Sequence, residues 1–230
     1  MGNSKKYAVI VAGGKGTRMG GDIPKQFLPF LGKPLLIYAI DAFRLALPDA
    51  KIILVVPQDH LSGVQTIIRT FMAKFDLTIT AGGETRFHSV QNGLKMVNND
   101  GVVFVHDAAR PMITQDLILR CYKSALINGN AIPAIAQAES VRMVGENNIN
   151  TPVNRELLRI IQTPQTFKSE QILPAFNRPY RPEFTDEASV VEDFGIKVNL
   201  IEGAFDNIKL TNPIDFVIAE ALLRARNSNL

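Results

Sequence analysis

The residues best suited to chemistry lie in one short stretch near the amino end, Tyr7 to Gln26. Its first part, Tyr7 to Val11, has the pattern of a buried parallel strand, and a run of glycines follows directly. Glycines at the carboxyl end of a strand let backbone N–H groups point towards one place and leave room for a ligand. Three cations accompany them, namely Lys15, Arg18 and Lys25. The stretch therefore predicts an anion site, and a polyphosphate is its natural occupant.

Two common phosphate-binding motifs do not account for this stretch. A P-loop requires the string GxxxxGK followed by Ser or Thr, which the sequence lacks. A dinucleotide fingerprint requires GxGxxG. Gly14 and Gly16 supply its first two glycines, but Met19 occupies the third position. Because no clear acidic partner for a ribose follows the second predicted strand either, we do not expect a dinucleotide-binding oxidoreductase.

Size and composition fit one large α/β domain spanning residues 1–230. Hydrophobic residues make up 46% and charged residues 20%, and no apolar run approaches the roughly 20 residues of a membrane span. The single cysteine, Cys121, excludes an internal disulfide and a cysteine-based zinc site. We therefore expect a cytoplasmic protein with no membrane partner. The net charge of +3 suits an acidic small molecule, and the dispersed basic residues predict no nucleic-acid partner.

Predicted strands and helices alternate along most of the chain. The predicted strands are 7–11, 51–56, 77–80, 102–105, 131–136, 197–201 and 206–210. The predicted helices are 34–47, 63–74, 114–128, 186–195 and 214–226, with shorter ones after 85 and up to 172. This order predicts an α/β fold with a Rossmann-like, mostly parallel sheet and helices on both faces.

Three loops follow predicted strands and carry residues suited to binding. They contain Gly13, the pair Gly82-Gly83, and Asp107. Because ligands bind beyond the carboxyl ends of the strands in such sheets, we expect these loops to converge on one crevice.

Threonines precede three of the predicted helices. Thr85, Thr114 and Thr185 are therefore predicted N-caps. On the helix after Thr85, Arg86 and Ser89 are three residues apart and should face the same side.

The alternation breaks in an arm at about residues 138–157. Ser140 to Met143 partly alternates, Gly145 to Asn148 has the composition of a turn, and Ile149 to Val153 would return as a second strand. An isolated hairpin is marginal in water, so this one should pack on something. We therefore hypothesise a homodimer joined through these arms.

Seven motifs between Tyr7 and Thr211 carry a resemblance to a known family. They are AGGKGTRM with PKQ, GGETRFHSV, VHDAARP, the neighbourhood of Arg155, TPQTF, TDEAS and DNIKLT. In this order they resemble the 2-C-methyl-D-erythritol 4-phosphate cytidylyltransferases of the non-mevalonate isoprenoid route. Ribitol-5-phosphate cytidylyltransferases share much of the pattern, and TDEAS with DNIKLT favours the methylerythritol enzyme. A non-catalytic nucleotide-binding module of the same fold is the alternative from another class, but the presence of Lys25 and Lys209 argues against it.

The resemblance implies a fold of the nucleotidyltransferase type and a Mg²⁺-dependent transfer of a cytidylyl group from CTP to the polyol phosphate. The implied catalytic cations are Arg18, Lys25, Lys209 and Arg155, the last reaching across from the other subunit's arm. The implied nucleotide-binding residues are Ala12, Gly13, Gly14, Lys15, Gly83, Arg86, Ser89, Asp107 and Ala108. The implied acceptor-binding residues are Asp107, Arg155, Thr163, Thr185 and Lys209, and the candidate metal ligands are Asp107 and Asp206.

The implied chemistry explains why cations matter more than a base. A phosphate monoester has a second pKa of about 6, so it is largely dianionic at neutral pH and can attack without a general base. The task is to bring two polyanions together, which calls for positioning, cations and Mg²⁺. The sequence departs from the family's pattern at two positions. Gly13 stands where many members carry alanine, and Asn154 stands where an acidic residue is expected before Arg155.

Overall fold

A computed structural model describes residues 4–13, 24–72, 77–98 and 100–228, and for Lys25, Asn227 and Ser228 it describes the backbone alone. The strands in these residues are Lys5–Val11 (β1), Pro29–Phe30 (β2), Lys33–Pro34 (β3), Lys51–Val56 (β4), Thr78–Ala81 (β5), Gly101–Asp107 (β6), Asn130–Ala136 (β7), Val141–Val144 (β8), Asn150–Val153 (β9), Arg159–Ile161 (β10), Gln165–Lys168 (β11) and Leu200–Glu202 (β12). The α-helices there are Leu35–Ala46 (α1), Leu61–Phe71 (α2), Arg86–Leu94 (α3), Gln115–Asn128 (α4), Ser169–Ala175 (α5), Glu187–Asp193 (α6) and Pro213–Ser228 (α7).

One eight-stranded mixed sheet forms the centre of the molecule. Its order is β10-β7-β11-β6-β1-β4-β5, with β12 paired to β7. The strands β6, β1, β4 and β5 are parallel to one another, which confirms the predicted parallel arrangement for the centre of the sheet. The strands β10 and β11 run antiparallel to their neighbours, so the sheet is mixed rather than uniformly parallel.

Helices cover both faces of the sheet, as predicted. Ala8 and Ile10 of β1 point into an apolar cluster with α1, α2 and α4. Tyr7 and Val9 alternate with them and point into a second cluster with α3, α5 and α6. Successive side chains of a strand face opposite ways, so a strand buried on both sides must be apolar throughout. None of the helices in the described part of the chain is long and apolar enough to cross a membrane.

Two predicted N-caps and one predicted helix stop are confirmed. Thr85 accepts a hydrogen bond from the backbone of His88, and Thr114 accepts one from Leu117. Gly129 ends α4 with a φ of 86°, in the region that glycine adopts without strain. The helix predicted over 63–74 begins at Leu61 and ends at Phe71.

Two local predictions were wrong. Thr185 is not an N-cap, because Asp186 takes that position and forms a capping box with Ser189. The segment 206–210 is not a strand, because its backbone is bonded to side chains and loops instead of a sheet neighbour.

The predicted hairpin is confirmed as a separate two-stranded sheet of β8 and β9. Its turn contains Asn147 and Asn148 with positive φ values. The side chains of Met143, Val144 and Ile149 are 65%, 66% and 69% exposed in the single chain.

Candidate active site

Four parallel strands bring the predicted binding loops to one edge of the sheet. Val11, the last residue of β1, lies opposite Val55 in β4 and Asp107 in β6. The backbone N–H of Ala12 donates to Val55, and that of Ala108 donates to Val11. The loops after β1 and β6 therefore start side by side, as the sequence predicts.

The hydroxyl of Ser89 lies between two glycine loops. Ser89 is buried, accepts a hydrogen bond from Gly83 at 3.0 Å and donates one to the carbonyl of Thr85 at 3.0 Å. A Cβ atom added to Gly13 would lie 3.1 Å from Ser89 Oγ, and one added to Gly82 would lie 2.9 Å from it. The two loops therefore approach Ser89 closely, and three predicted nucleotide-binding residues, Gly13, Gly83 and Ser89, meet here.

Asp107 lies at the end of β6 between two cations. Its Oδ2 is 2.7 Å from Lys209 Nζ, and its Oδ1 accepts from Arg86 Nε at 3.2 Å and from Nη2 at 3.1 Å. Burial alone would raise the pKa of Asp107, but Arg86 and Lys209 outweigh burial and lower that pKa well below its usual range. The carboxylate is therefore ionised at neutral pH, while the Lys209 side chain stays 40% exposed.

A second carboxylate, Glu187, anchors Arg86 from the opposite side. Glu187 is fully buried in the first turn of α6. Its carboxylate accepts hydrogen bonds from both Nη groups of Arg86, and the Nη2–Oε2 distance is 3.0 Å. Burial raises the pKa of Glu187, and Arg86 opposes that rise. Arg86 thus bridges Glu187 and Asp107, and its own pKa is raised by these carboxylates against the opposing effect of burial.

Sequence reasoning missed Glu187, although it quoted the TDEAS motif. An acidic residue at the start of a helix is readily explained by the helix dipole, which concealed its contact with Arg86. The available signal was that Glu187 lies within TDEAS, one of the seven motifs that carry the family resemblance.

Buried hydrogen bonds hold the backbone of Asp107 in place. Its N–H donates to Thr163 Oγ1 at 3.1 Å, and that hydroxyl is 3.0 Å from His106 Nδ1. His106 Nε2 is 3.2 Å from the carbonyl of Arg110, which can only accept. Burial lowers the pKa of His106 to about 4, so the ring is neutral with its proton on Nε2. Thr163 was predicted to contact the acceptor; in this structure its buried hydroxyl holds the strand end, and the acceptor contact stays a prediction.

Three other predicted site residues make their contacts elsewhere. Arg155 lies exposed on the arm and donates to the carbonyl of Ala138 at 2.7 Å. Thr185 is exposed, and its backbone N–H donates to Ser189. Asp206 pairs with Arg226 at 2.5 Å. Their predicted roles are not tested by these contacts.

The departure at Asn154 leaves the local turn intact. Asn154 Oδ1 accepts from the backbone of Glu156 at 3.1 Å and caps the short turn that begins at Arg155. An acidic residue would cap the same turn in the same way.

The predicted triphosphate-binding residues are only partly visible. Gly14, Lys15 and Arg18 lie outside the described residues. The backbone of Lys25 begins a short 3-10 helix, and the neighbouring Gln26 is buried and donates to the carbonyl of Ala12. The segment after the glycine loop is therefore tied back to the end of β1.

The donor set at the cluster fits a cation that the substrate helps to hold. In the described ranges no group of three histidine, cysteine or acidic side chains could hold a metal ion. Asp107 offers one ionised carboxylate at the mouth of the loops, and each of its oxygens has more than one lone pair. Mg²⁺ commonly takes one or two carboxylates, several waters and substrate phosphates, so a single carboxylate is a sufficient protein contribution.

The sheet, the glycine loops and the Asp107 cluster define an α/β protein of the nucleotidyltransferase type. The profile of the family described as IspD, 2-C-methyl-D-erythritol 4-phosphate cytidylyltransferase, matches residues 7–225. The chain belongs to this family, which confirms the resemblance carried by the seven motifs.

Relatives and solved structures agree with this membership. The chain is 44% identical over 218 residues to the enzyme of that name from Bacteroides fragilis, covering 95% of this chain and 99% of the relative. It is 43% identical over 220 residues to the one from Porphyromonas gingivalis, covering 95% and 98%. A Francisella tularensis structure of that name matches with a TM-score of 0.78 and 33% identity over 95% of this chain and 99% of the other. A 4-diphosphocytidyl-2C-methyl-D-erythritol synthase structure from Anaerococcus prevotii matches with a TM-score of 0.80 and 26% identity. The match covers 96% of this chain and 99% of the other.

Proposed function

We propose that this chain transfers a cytidylyl group from CTP to 2-C-methyl-D-erythritol 4-phosphate, giving 4-diphosphocytidyl-2-C-methyl-D-erythritol and pyrophosphate. The observation that carries the proposal is the Asp107–Lys209 pair beside the glycine loops, in a chain whose relatives bear the name of this activity over 95% of its length. The edge of a parallel sheet, close-packed glycines and an accessible lysine are what a nucleotide triphosphate requires.

The proposed reaction is an in-line displacement at the α-phosphorus of CTP. A phosphate oxygen of the acceptor forms a bond to the α-phosphorus. The bond between the α-phosphorus and the oxygen that bridges to the β-phosphate breaks. The electron pair leaves with pyrophosphate. Because the attacking phosphate is largely dianionic, no side chain has to remove a proton. This fits a site whose buried histidine is neutral and fully bonded.

Lys209 is the described cation best placed to serve this displacement. Its side chain is 40% exposed, so Nζ can exchange the Asp107 carboxylate for a phosphate oxygen. Preorganised cations lower the barrier by stabilising charge that develops in the transition state. Arg18 and Lys25 are proposed to hold the triphosphate, and Arg155 to reach the acceptor from a partner's arm.

We also propose a role for Mg²⁺, held by Asp107 together with the triphosphate. When bound, the ion would supply positive charge to the phosphate oxygens. Asp206 is the weaker ligand candidate, since Arg226 already pairs with its carboxylate.

The nucleotide base is proposed to bind near Ser89 and Gly83. The rest of the nucleotide would be lined by the backbone of Ala12 and Gly13 and by Asp107 and Ala108. The short distances from Ser89 to the two glycine loops support this placement.

A homodimer and a cytoplasmic setting complete the proposal. The exposed apolar side chains of the arm support the dimer, because a hairpin of two short strands does not bury them alone. The buried, unpaired Cys121 is consistent with a reducing compartment.

The experiment that tests the proposal is release of pyrophosphate from CTP and Mg²⁺ with two acceptors in separate tubes. We expect release with 2-C-methyl-D-erythritol 4-phosphate and little with ribitol 5-phosphate. Release with ribitol 5-phosphate alone would keep the chemistry and change the substrate. No pyrophosphate release with either acceptor would reject the proposed function. Addition of EDTA tests separately whether the reaction needs a divalent metal ion.

A further inference from the structure

The segment that carries Lys209 has no regular secondary structure of its own. Residues 203–210 form a turn and an irregular stretch, yet Asn207 and Leu210 are 1% and 0% exposed. A buried irregular backbone must find hydrogen-bond partners outside a helix or a sheet. The partners of this segment therefore determine where Lys209 lies.

Asn207 makes the central contacts of this segment. Its Nδ2 donates to the carbonyl of Thr163 at 2.9 Å, and its own carbonyl accepts from Arg110 Nη1 at 2.7 Å. On the far side of Lys209, the N–H of Leu210 donates to the carbonyl of Ala109 at 2.8 Å. Lys209 is thus held between two fixed points, while its own side chain reaches outwards to Asp107.

Arg110 contributes a buried charge to the same network. It is 8% exposed, and its second Nη group donates to the carbonyl of Ile161 at 3.3 Å. A buried guanidinium is costly unless it is well paired. Yet Arg110 Nε and Asn207 Oδ1 are buried without a hydrogen-bond partner among the described residues. Buried polar atoms without a partner are uncommon in folded proteins, so these two distinguish the network from ordinary packing.

Thr163 joins the two halves of the ion pair. Its hydroxyl accepts a hydrogen bond from the N–H of Asp107, and its carbonyl accepts one from Nδ2 of Asn207. One buried residue therefore fixes the carboxylate on one side and the lysine segment on the other.

We propose that Asn207 is a positioning residue that, with Arg110 and Thr163, fixes Lys209 against Asp107 for the transfer reaction. This inference rests on the proposed function for its catalytic consequence. Loss of the Asn207 amide leaves the segment free to shift, and a misplacement of about 1 Å can cost roughly 10²-fold in rate.

The test is a double-mutant cycle between Asn207 and Lys209. Asn207→Asp keeps the size of the side chain and removes its donor to Thr163. We expect kcat to fall roughly 10- to 100-fold with a much smaller change in KM for CTP. In a Lys209→Ala background the same substitution should cost less than about threefold more, because the two residues act as one unit.

Asn130→Asp is the matched control. Asn130 is 0% exposed and also donates from its Nδ2 to a backbone carbonyl, that of Lys197, but it lies at the amino end of β7, the opposite edge of the sheet. It should lower the free energy of unfolding and leave kcat unchanged. Equal losses of kcat from Asn207→Asp in both backgrounds, or none in either, would overturn the positioning role.

A second readout does not depend on turnover. The acylation rate of Lys209 by an acetyl ester, followed by mass spectrometry, should rise roughly two- to fivefold in Asn207→Asp, as expected for release of a partly exposed ion pair. Asn130→Asp should not change it. If the wild type releases no pyrophosphate, the proposed function fails, and an unchanged acylation rate would separately reject the positioning role.

Discussion

At the scale of single residues, the salt bridges around Asp107 join two carboxylates to two cations, with the buried Arg110 nearby. Asp107 and Glu187 supply two carboxylates, and Arg86 and Lys209 supply two cations. Arg86 is shared by both carboxylates, so Lys209 is the cation whose partner can change when a phosphate arrives. A triphosphate therefore needs additional positive charge, which the stretch containing Lys15, Arg18 and Lys25 would supply.

Lys209→Ala tests this assignment. We expect turnover to fall by roughly 10²–10³, the usual cost of removing one preorganised stabiliser of transition-state charge. The sequence predicts the same loss for Arg18→Ala and Lys25→Ala. Steady-state pyrophosphate release at saturating substrates measures the effect.

Lys51→Ala is the control for that loss. Lys51 is exposed at the amino end of β4, away from the candidate site, so the same substitution should leave turnover unchanged. Near-normal turnover in Lys209→Ala would remove Lys209 from the mechanism.

Because of His106, we expect the free energy of unfolding to fall at acidic pH. Its pKa is lowered from 6.5 to about 4 by burial, so the unfolded chain binds the proton more tightly than the folded one between these values. The stability from His106 is complete above about pH 6.5 and is lost as the pH falls towards 4, by up to about 1.4 kcal/mol per pH unit.

Urea unfolding of the wild type and His106→Gln at several pH values measures this effect. We expect the variant to be less stable at pH 7 and less sensitive to pH between 6.5 and 4. Glu187 acts in the opposite sense, because its raised pKa adds stability as the pH falls, and comparing the two proteins cancels that contribution. A difference in unfolding free energy that does not vary with pH would contradict the assignment.

At the scale of elements, the packing of α3 determines where Arg86 and Ser89 lie. Gly93 lets this helix approach the sheet closely, since a Cβ atom there would lie 2.6 Å from Val9 Cγ1 and 2.9 Å from Val55 Cγ2. Both valines are buried, so neither can move without disturbing the core.

Two glycine substitutions in helices should therefore have opposite signs. Gly93→Ala should lower the free energy of unfolding by about 1–3 kcal/mol through overpacking. Gly63→Ala in α2 should raise it by up to about 1 kcal/mol, because nothing lies within 4 Å and alanine is the better helix former. Denaturant titrations measure both, and a stabilised Gly93→Ala would show that α3 is not packed as described.

At the scale of the whole molecule, the arm is the feature that a single chain leaves incomplete. Its two strands pair only with each other in the described structure, and its apolar side chains face solvent. A second copy of the chain would bury them and could bring Arg155 to the neighbouring site.

A doubly substituted arm, Met143→Glu with Ile149→Glu, tests this proposal. We expect the wild type to sediment as a dimer at micromolar concentration and the variant as a folded monomer with much lower turnover. Ile127→Glu is the control, because Ile127 is 81% exposed at the end of α4 and outside the arm. A wild type that sediments as a monomer would reject the dimer.

The sequence alone determined the features that depend on neighbouring residues. The bounds of β4, the caps at Thr85 and Thr114, the stop at Gly129 and the hairpin all follow from local periodicity, capping and turn chemistry. The motifs likewise identified the family, because they occur in order across nearly the whole chain, and the family profile matches residues 7–225.

Only the tertiary structure decided the features that depend on distant partners. Arg86 and Glu187 are 101 residues apart, and no local pattern predicts that they form a bidentate pair. The segment 206–210 has the composition of a strand, but its backbone bonds to Arg110 and Ala109 instead. The strand β11 was not predicted, because Gln165–Lys168 is short and mostly polar, and only its antiparallel pairing with β6 and β7 makes it a strand. Long-range hydrogen bonds and buried charges, rather than propensity, fixed these parts of the site.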